Sequence, residues 1–92
     1  MSEQARLTAW VHGRVQGVGF RWWTRSRALE LGLTGYAKNQ SDGRVLVVAQ
    51  GARADGERLL ELLRGDTTPG HVDKVIADWS APGDQIAGFS ER

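Results

Sequence analysis

Three glycines and an arginine lie within nine residues of this chain, at Gly13, Gly17, Gly19 and Arg21. A strand-like pattern ends at Gly13 and a helix-like pattern begins near Phe20, so the glycines lie at the mouth of a helix. Backbone N–H groups in such a place form a natural anion site. Gly19 replaces the usual capping side chain, and Arg21 puts a cation at the positive end of the helix dipole, which costs roughly 0.3–1 kcal/mol. A bound anion explains both features, and the motif therefore predicts an anion site.

The spacing of the glycines excludes two common phosphate loops. No Gly-Lys-Ser/Thr follows the last glycine, as in a P-loop, and the glycines do not stand as G-x-G-x-x-G. An ordinary glycine-rich turn with one surface arginine is the alternative interpretation. The chain has no cysteine, which excludes thiol and disulfide chemistry and agrees with a reducing compartment.

The charge of the chain is unevenly distributed although its net value is only +1. Residues 4–29 contain five arginines and no acid, whereas residues 55–92 contain eight acids and four bases. The basic half contains the glycine motif, and its field favours an anion. No apolar run approaches the roughly 20 residues that span a bilayer, and the first residues do not resemble a secretion signal. We therefore expect a cytoplasmic protein without a membrane partner.

The apolar pattern predicts the element order β-α-β-β-α-β with a short final strand. The predicted strands are 7–12, 34–39, 44–50, 72–79 and a short one around 86–89, and the helices are 20–31 and one that Asp55 caps and that ends near Gly65. Two crossovers of the same hand place both helices on one face of an antiparallel sheet. We predict one α+β domain, residues 1–92, with the ferredoxin-like sandwich fold and a short extra C-terminal strand.

This topology brings a further polar residue towards the glycine motif. The first two strands run in the same direction with the third between them, so Asn39, at the end of the second strand, lies at the same end of the sheet as the motif. The separation is two strand spacings, roughly 10 Å, which suits a phosphate and an attacking water. Asn39 is therefore a candidate partner of Arg21.

Two stretches of the chain resemble the signatures of the acylphosphatase family in its small prokaryotic form. They are Gly13-x-Val15-Gln16-Gly17-Val18-Gly19-Phe20-Arg21 and Gly32-Leu33-x-Gly35-Tyr36-Ala37-Lys38-Asn39, the second continuing into Asp42-Gly43-x-Val45. The likeness covers nearly the whole chain. It departs from the family at Ala37, which is usually a larger aliphatic residue, in the loop 68–71, and at residues 89–92, where a missing apolar residue predicts a short or frayed last strand.

The resemblance implies a hydrolase that cleaves the carboxyl–phosphate bond of an acyl phosphate to a carboxylate and inorganic phosphate, without metal or cofactor. It implies that Arg21 binds the phosphate and that Asn39 holds the attacking water. The phosphate would also be bound by a cradle of six consecutive backbone amides, those of Gln16, Gly17, Val18, Gly19, Phe20 and Arg21. The expected partner is a small-molecule acyl phosphate, and we expect a monomer.

The isolated histidines are not expected to bind metal, and three of the tryptophans have expected positions. His12 and His71 lack the spacing of metal ligands. Trp22 and Trp23 cannot both face the core, so one is expected to pack and the other is a candidate neighbour of the acyl group. Trp10 is expected on the helix-free face of the sheet, where an aromatic side chain is a candidate interaction patch.

Two functions from other classes remain open at this point. The same sandwich is found in RNA-recognition domains, but the third strand lacks the aromatic residues that those domains present, so nucleic acid is not an expected partner. The other alternative is an interaction domain that binds an anion without catalysis. The pair Arg21 and Asn39 argues against it, and the fold alone decides neither question.

Overall fold

The computed structural model describes residues 3–92 and contains five strands and two helices. They are β1 (Gln4–Arg14), α1 (Phe20–Glu30), β2 (Thr34–Asn39), β3 (Val45–Ala52), α2 (Arg53–Arg64), β4 (His71–Ser80) and β5 (Phe89–Glu91). The strand order is β4-β1-β3-β2-β5. The four long strands pair antiparallel, and β5 pairs parallel to β2 at the edge. The predicted ferredoxin-like α+β sandwich with a short extra strand is confirmed.

Strand β1 shows why the sheet has a buried and an open face. Its alternate residues Leu7, Ala9 and Val11 are fully buried, because they lie under the two helices. Trp10 points to the opposite face, where the Arg44 guanidinium lies 4.5 Å from the centre of its ring. The predicted position of Trp10 on the helix-free face is confirmed.

Helix α1 buries the stripe that its sequence predicts, with one change. Phe20, Thr24 and Ala28 are buried as expected, Trp23 joins them, and Leu31 is only half-buried just beyond the last turn. Burial of one tryptophan of the adjacent pair leaves the other exposed, since neighbouring helical residues point about 100° apart.

The end of α1 is also as predicted. Gly32 has φ 73°, its N–H donates to the Leu29 oxygen (3.1 Å), and the Leu33 N–H donates to the Ala28 oxygen (2.9 Å). This pair of bonds is the Schellman arrangement that closes a helix at a glycine. Neither helix within residues 3–92 is long and apolar enough to cross a membrane.

Helix α2 begins earlier than predicted, and Asp55 does not cap it. The helix starts at Arg53, directly after β3, and no side chain of residues 3–92 caps it. The Arg53 N–H is satisfied by the Glu3 main-chain oxygen at 2.7 Å, so the chain passes from strand to helix without a loop. Asp55 lies in the first turn, where its charge still favours the helix dipole.

The last strand is short, as predicted, but the expected range 86–89 is wrong. Strand β5 covers Phe89–Glu91, because hydrogen bonds to β2 and α1 decide its position rather than the apolar residue at 86. The Gly35 N–H donates to Gly88 O (2.9 Å), the Arg92 N–H donates to Ala37 O (2.7 Å) and Arg25 Nε donates to Phe89 O (3.0 Å). The strand is therefore bonded through to Arg92 and not frayed.

The inner face of α2 supplies a matched pair for testing the core. Leu59 is fully buried, whereas its neighbour Leu60 is half-buried at the rim of the same core. Leu59→Ala is expected to lower the free energy of unfolding in urea by about 2–5 kcal/mol, since it removes buried methyl groups and leaves a cavity. Leu60→Ala should cost clearly less, and equal losses for the two variants would contradict the described packing.

Candidate active site

The loop between β1 and α1 has glycines at two positions with positive φ. Gly17 has φ 74° and Gly19 has φ 82°, and no non-glycine residue among 3–92 has a positive φ. Residues 16–19 thus alternate negative and positive φ, the geometry of a backbone nest that binds anions. A Cβ at Gly17 or Gly19 would meet no atom within 4 Å, so glycine is required here for the backbone angle and not for space.

The N-terminus of α1 leaves further donors unpaired. The first helical bond runs from the Trp23 N–H to the Gly19 oxygen at 3.0 Å, so the N–H groups of Phe20, Arg21 and Trp22 have no acceptor within the helix. No side chain of the described residues caps this end. The Phe20 side chain is buried in the core and anchors the helix start. Phe20 and Arg21, the last two residues of the predicted cradle, therefore have main-chain N–H groups without a helical acceptor at the positive end of a helix dipole.

Arg21 and Asn39 converge on one acceptor. Arg21 Nη1 donates to the main-chain oxygen of Arg92 at 2.9 Å, and the Asn39 N–H donates to the same oxygen at 3.1 Å. The two predicted site residues thus lie within two hydrogen-bond lengths of each other, although they belong to different elements. The parallel pairing of β5 with β2 explains the position of the acceptor, since Ala37 lies opposite Glu91 and the next residue, Arg92, therefore lies beside Asn39.

The side chain of Asn39 has an unused acceptor. Asn39 continues the buried face of β2, on the same side as Ala37, and its Oδ1 is buried without a hydrogen-bond partner in the described part of the chain. Buried amide oxygens are almost always paired. The atom is therefore placed to accept a hydrogen bond from a molecule in the site.

The side chain of Gln16 is directed away from the cradle towards the turn after β2. Its Nε2 donates to the main-chain oxygens of Gln40 at 2.8 Å and of Arg44 at 3.0 Å. Because the backbone of Gln16 begins the predicted cradle, these bonds join the loop before α1 to the turn that follows Asn39.

Two apolar side chains lie exposed in and beside the cradle. Val18 in the loop is 37% exposed, and Trp22 in the first turn of α1 is 60% exposed. Trp23 is the packed member of the tryptophan pair, so Trp22 stays the candidate neighbour of the acyl group. Trp22 is exposed and lies in the first turn of α1, next to the predicted cradle.

Within residues 3–92, neither histidine side chain forms a hydrogen bond or ion pair with a predicted site residue. His71 Nε2 lies 3.1 Å from an Asp73 carboxylate oxygen in an exposed pair, and His12 lies on the helix-free face, opposite Lys74 in β4. Within residues 3–92, no group of three or more His, Cys, Asp or Glu side chains is arranged to hold a metal ion.

A cavity of about 420 Å³ lies at another part of the molecule, between α2 and β4. Strand β4 forms the edge of the sheet opposite to β2 and β5, so this cavity is remote from Asn39. Its lining is Glu57, Leu60, Glu61, Arg64, Gly65 and Trp79, and it includes no predicted site residue. The cradle, in contrast, is an open surface at the end of a helix.

Two features of the site were not predicted from the sequence. One is the oxygen of Arg92, which joins Arg21 to Asn39, and the other is the pair of hydrogen bonds from the Gln16 side chain. No residue type signals a main-chain acceptor. The first signature predicted a role for the backbone of Gln16. It gave no indication of what the Gln16 side chain would bind.

Comparison with known proteins identifies the family of the chain. Residues 7–91 match the family model described as Acylphosphatase. An acylphosphatase of Mycolicibacterium vanbaalenii is 80% identical over 87 residues, covering 95% of this chain and 94% of that protein.

Solved structures give the same result for the fold. An acylphosphatase from Coxiella burnetii superposes with a TM-score of 0.85 at 36% identity, over 98% of this chain and 94% of that one. An acylphosphatase from Bacillus subtilis superposes with a TM-score of 0.86 at 30% identity, over 96% of this chain and 98% of that one. Signatures, fold and relatives agree, and the chain belongs to the acylphosphatase family.

Proposed function

We propose that, in this hydrolase of acyl phosphates, Arg21 and the cradle amides bind the phosphoryl group while Asn39 positions the attacking water. The amides are those of Gln16, Gly17, Val18, Gly19, Phe20 and Arg21. The observation that carries the proposal is the convergence of Arg21 and Asn39 on the Arg92 oxygen. It supports a single site to which a cation, a nest of amides and an amide side chain all contribute.

Arg21 suits the recognition of a phosphoryl group. A guanidinium has five N–H donors in a planar fork, and the Arg92 oxygen accepts from Nη1, which leaves donors for two phosphate oxygens. The cradle amides and the α1 dipole bind the remaining oxygens. The positive charge is therefore in place before substrate binds, and it stabilises the charge of the phosphoryl group during transfer.

Asn39 suits the positioning of a neutral water. Its main-chain N–H is held by the Arg92 oxygen, which fixes the residue, while the buried Oδ1 remains free to accept a hydrogen bond. An unsatisfied buried acceptor costs about 1–3 kcal/mol, and a water molecule donating to Oδ1 removes that cost. The water would then be held in line with the phosphorus.

The leaving group explains why so few side chains suffice. An acyl phosphate releases a carboxylate, which is already a stable anion near neutral pH, so no general acid is required. The proposal assigns the remaining work to placement and charge stabilisation, with the proton of the water passing to the phosphate itself. Arg21 and the helix dipole supply positive charge, so the proposed reaction requires no metal.

The proposal includes the setting of the reaction. Residues 1–92 act as one domain and as a monomer in the cytoplasm, on a small acyl phosphate. The absence of cysteine suits a reducing compartment. Sedimentation equilibrium of the purified chain tests the monomer, and a concentration-independent dimer mass would contradict it.

Arg21→Ala is expected to lower the hydrolysis of benzoyl phosphate on the order of 10²–10⁴-fold, because charge-assisted hydrogen bonds of about 1.5–3 kcal/mol each are lost. Arg21→Lys should recover little of the rate, since a point charge does not reproduce the fork. Steady-state rates of the folded variants measure this. Turnover by Arg21→Ala within a few-fold of the unmodified chain would remove Arg21 from the proposal.

Asn39→Ala should lose most of kcat while inorganic phosphate still inhibits competitively with a similar constant. The reason is that the variant removes the water ligand but leaves Arg21 and the cradle intact. Measuring kcat and phosphate inhibition together separates the two roles. Normal turnover by this variant would show that Asn39 does not position the water.

Removal of metal should leave the activity unchanged. We expect the same benzoyl phosphate turnover before and after dialysis against EDTA, with Arg21→Ala as the background. Loss of activity that a divalent cation restores would contradict metal independence. If the folded, unmodified chain turned over no faster than Arg21→Ala, the anion-binding interaction domain would be the better assignment.

A further inference from the structure

The Gln16 side chain joins the two parts of the site. Its amide nitrogen has two N–H groups, and Nε2 makes two hydrogen bonds, to Gln40 O at 2.8 Å and to Arg44 O at 3.0 Å. Both acceptors lie in the turn that begins directly after Asn39. Gln16 itself provides the first amide of the cradle. One half-buried side chain thus spans from the phosphate site to the element that carries the water ligand.

The turn that receives Gln16 is closed by its own bonds. The Gln40 N–H donates to Arg44 O at 2.8 Å and the Gly43 N–H donates to Gln40 O at 3.2 Å. Asp42 accepts from the backbone N–H of Arg44 at 3.1 Å and from its Nε at 2.7 Å. The bond from the Arg44 backbone is the main cause that holds the pKa of the Asp42 carboxyl below its usual range, and the bond from the Arg44 side chain adds to it. Gln16 therefore binds a preformed turn.

The Gln16 side chain is the hydrogen-bonded link between the cradle loop and the turn after β2 in the described residues. Residues 16–19 form a bend outside the helices and strands, with two glycines that meet no neighbour within 4 Å of a built Cβ. In the described part of the chain, the two Gln16 bonds are the only hydrogen bonds from residues 16–19 to residues 39–44. Strand β3 separates the strands that carry the two parts, so the sheet alone does not set the position of the loop.

We propose that the Gln16 side chain is a positioning residue, which sets the distance and direction between the cradle and Asn39. It holds the phosphorus and the attacking water in line, and so acts on turnover without touching the reacting atoms. This inference rests on the water-positioning role proposed for Asn39. A displacement of about 1 Å in such a geometry reduces rate by on the order of 10²-fold.

Two replacements of nearly equal length test the hydrogen bonds. Gln16→Met removes both donors and keeps the size of the side chain, and we expect kcat to fall roughly 10–100-fold. Gln16→Glu places a carboxylate, which only accepts hydrogen bonds at neutral pH, against two carbonyl oxygens. We expect kcat of this variant to fall further than that of Gln16→Met. Inhibition by inorganic phosphate should change by less than about 3-fold in Gln16→Met, because Arg21 and the helix amides remain.

Gln50 offers a matched control. It is also a half-buried glutamine, but its side chain bonds Arg6 Nε and the Gly83 N–H, each at 3.0 Å, in the half of the sheet away from Asn39. Gln50→Met should leave kcat unchanged. Urea unfolding of each variant verifies that the protein assayed is folded.

A double-mutant cycle with Asn39→Ala gives the decisive outcome. If Gln16 acts through the water on Asn39, Gln16→Met should cost kcat less than about 2-fold in the Asn39→Ala background. An equal loss in both backgrounds, or phosphate inhibition that weakens as much as kcat falls, would overturn the inference. The Asn39→Ala variant alone reports on the proposed function, because normal turnover there refutes the water role whatever Gln16 does.

Discussion

The placement of β3 between β1 and β2 is the constraint on which the site depends. Antiparallel pairing with a common neighbour makes β1 and β2 run in the same direction, so both deliver their ends to one edge of the molecule. The register Val11–Val45–Asn39 then decides how far Asn39 lies from the loop that leads into α1. A shift of one residue in the β2–β3 pairing would turn Asn39 to the other face of the sheet.

The second feature of the proposed site is positive charge at the start of α1, where residues 3–92 supply no acidic side chain in the first turn. The N-terminus of α1 has no side-chain cap from residues 3–92 and no acid in its first turn, and Arg21 adds a full charge there. Each feature costs stability in the free protein. In the proposed function, these costs are offset because an incoming phosphoryl group would meet donors that are already in place, and such an arrangement favours transfer of a charged group. The chain belongs to the acylphosphatase family, which hydrolyses acyl phosphates, and the proposed function assigns binding of the phosphoryl group to this arrangement.

The glycine-containing loop between β1 and α1 is held by contacts with the segments around it. The nest requires glycines, which restrict the backbone least, so its position depends on what surrounds it. The Phe20 side chain anchors the loop in the core, Gln16 binds it to the turn after β2, and the Arg92 oxygen joins Arg21 to Asn39. Arg25 adds a bond to β5 at Phe89, which helps to hold the strand that leads to Arg92. The α1 helix is thereby attached to the edge of the sheet at two places.

Local patterns in the sequence determined most of the elements, the fold class and the residues of the two signatures. Alternation in β1, the stripe of α1 and the stop at Gly32 are each encoded within a few residues, which is why they could be read directly. The start of α2, the range of β5 and the contacts of Gln16 and the Arg92 oxygen were decided by the tertiary structure. Each depends on a main-chain group supplied by a distant segment, as Glu3 does for Arg53 or Ala37 for Arg92. Main-chain donors and acceptors are the same at every residue, so only the folded chain determines which of them meet.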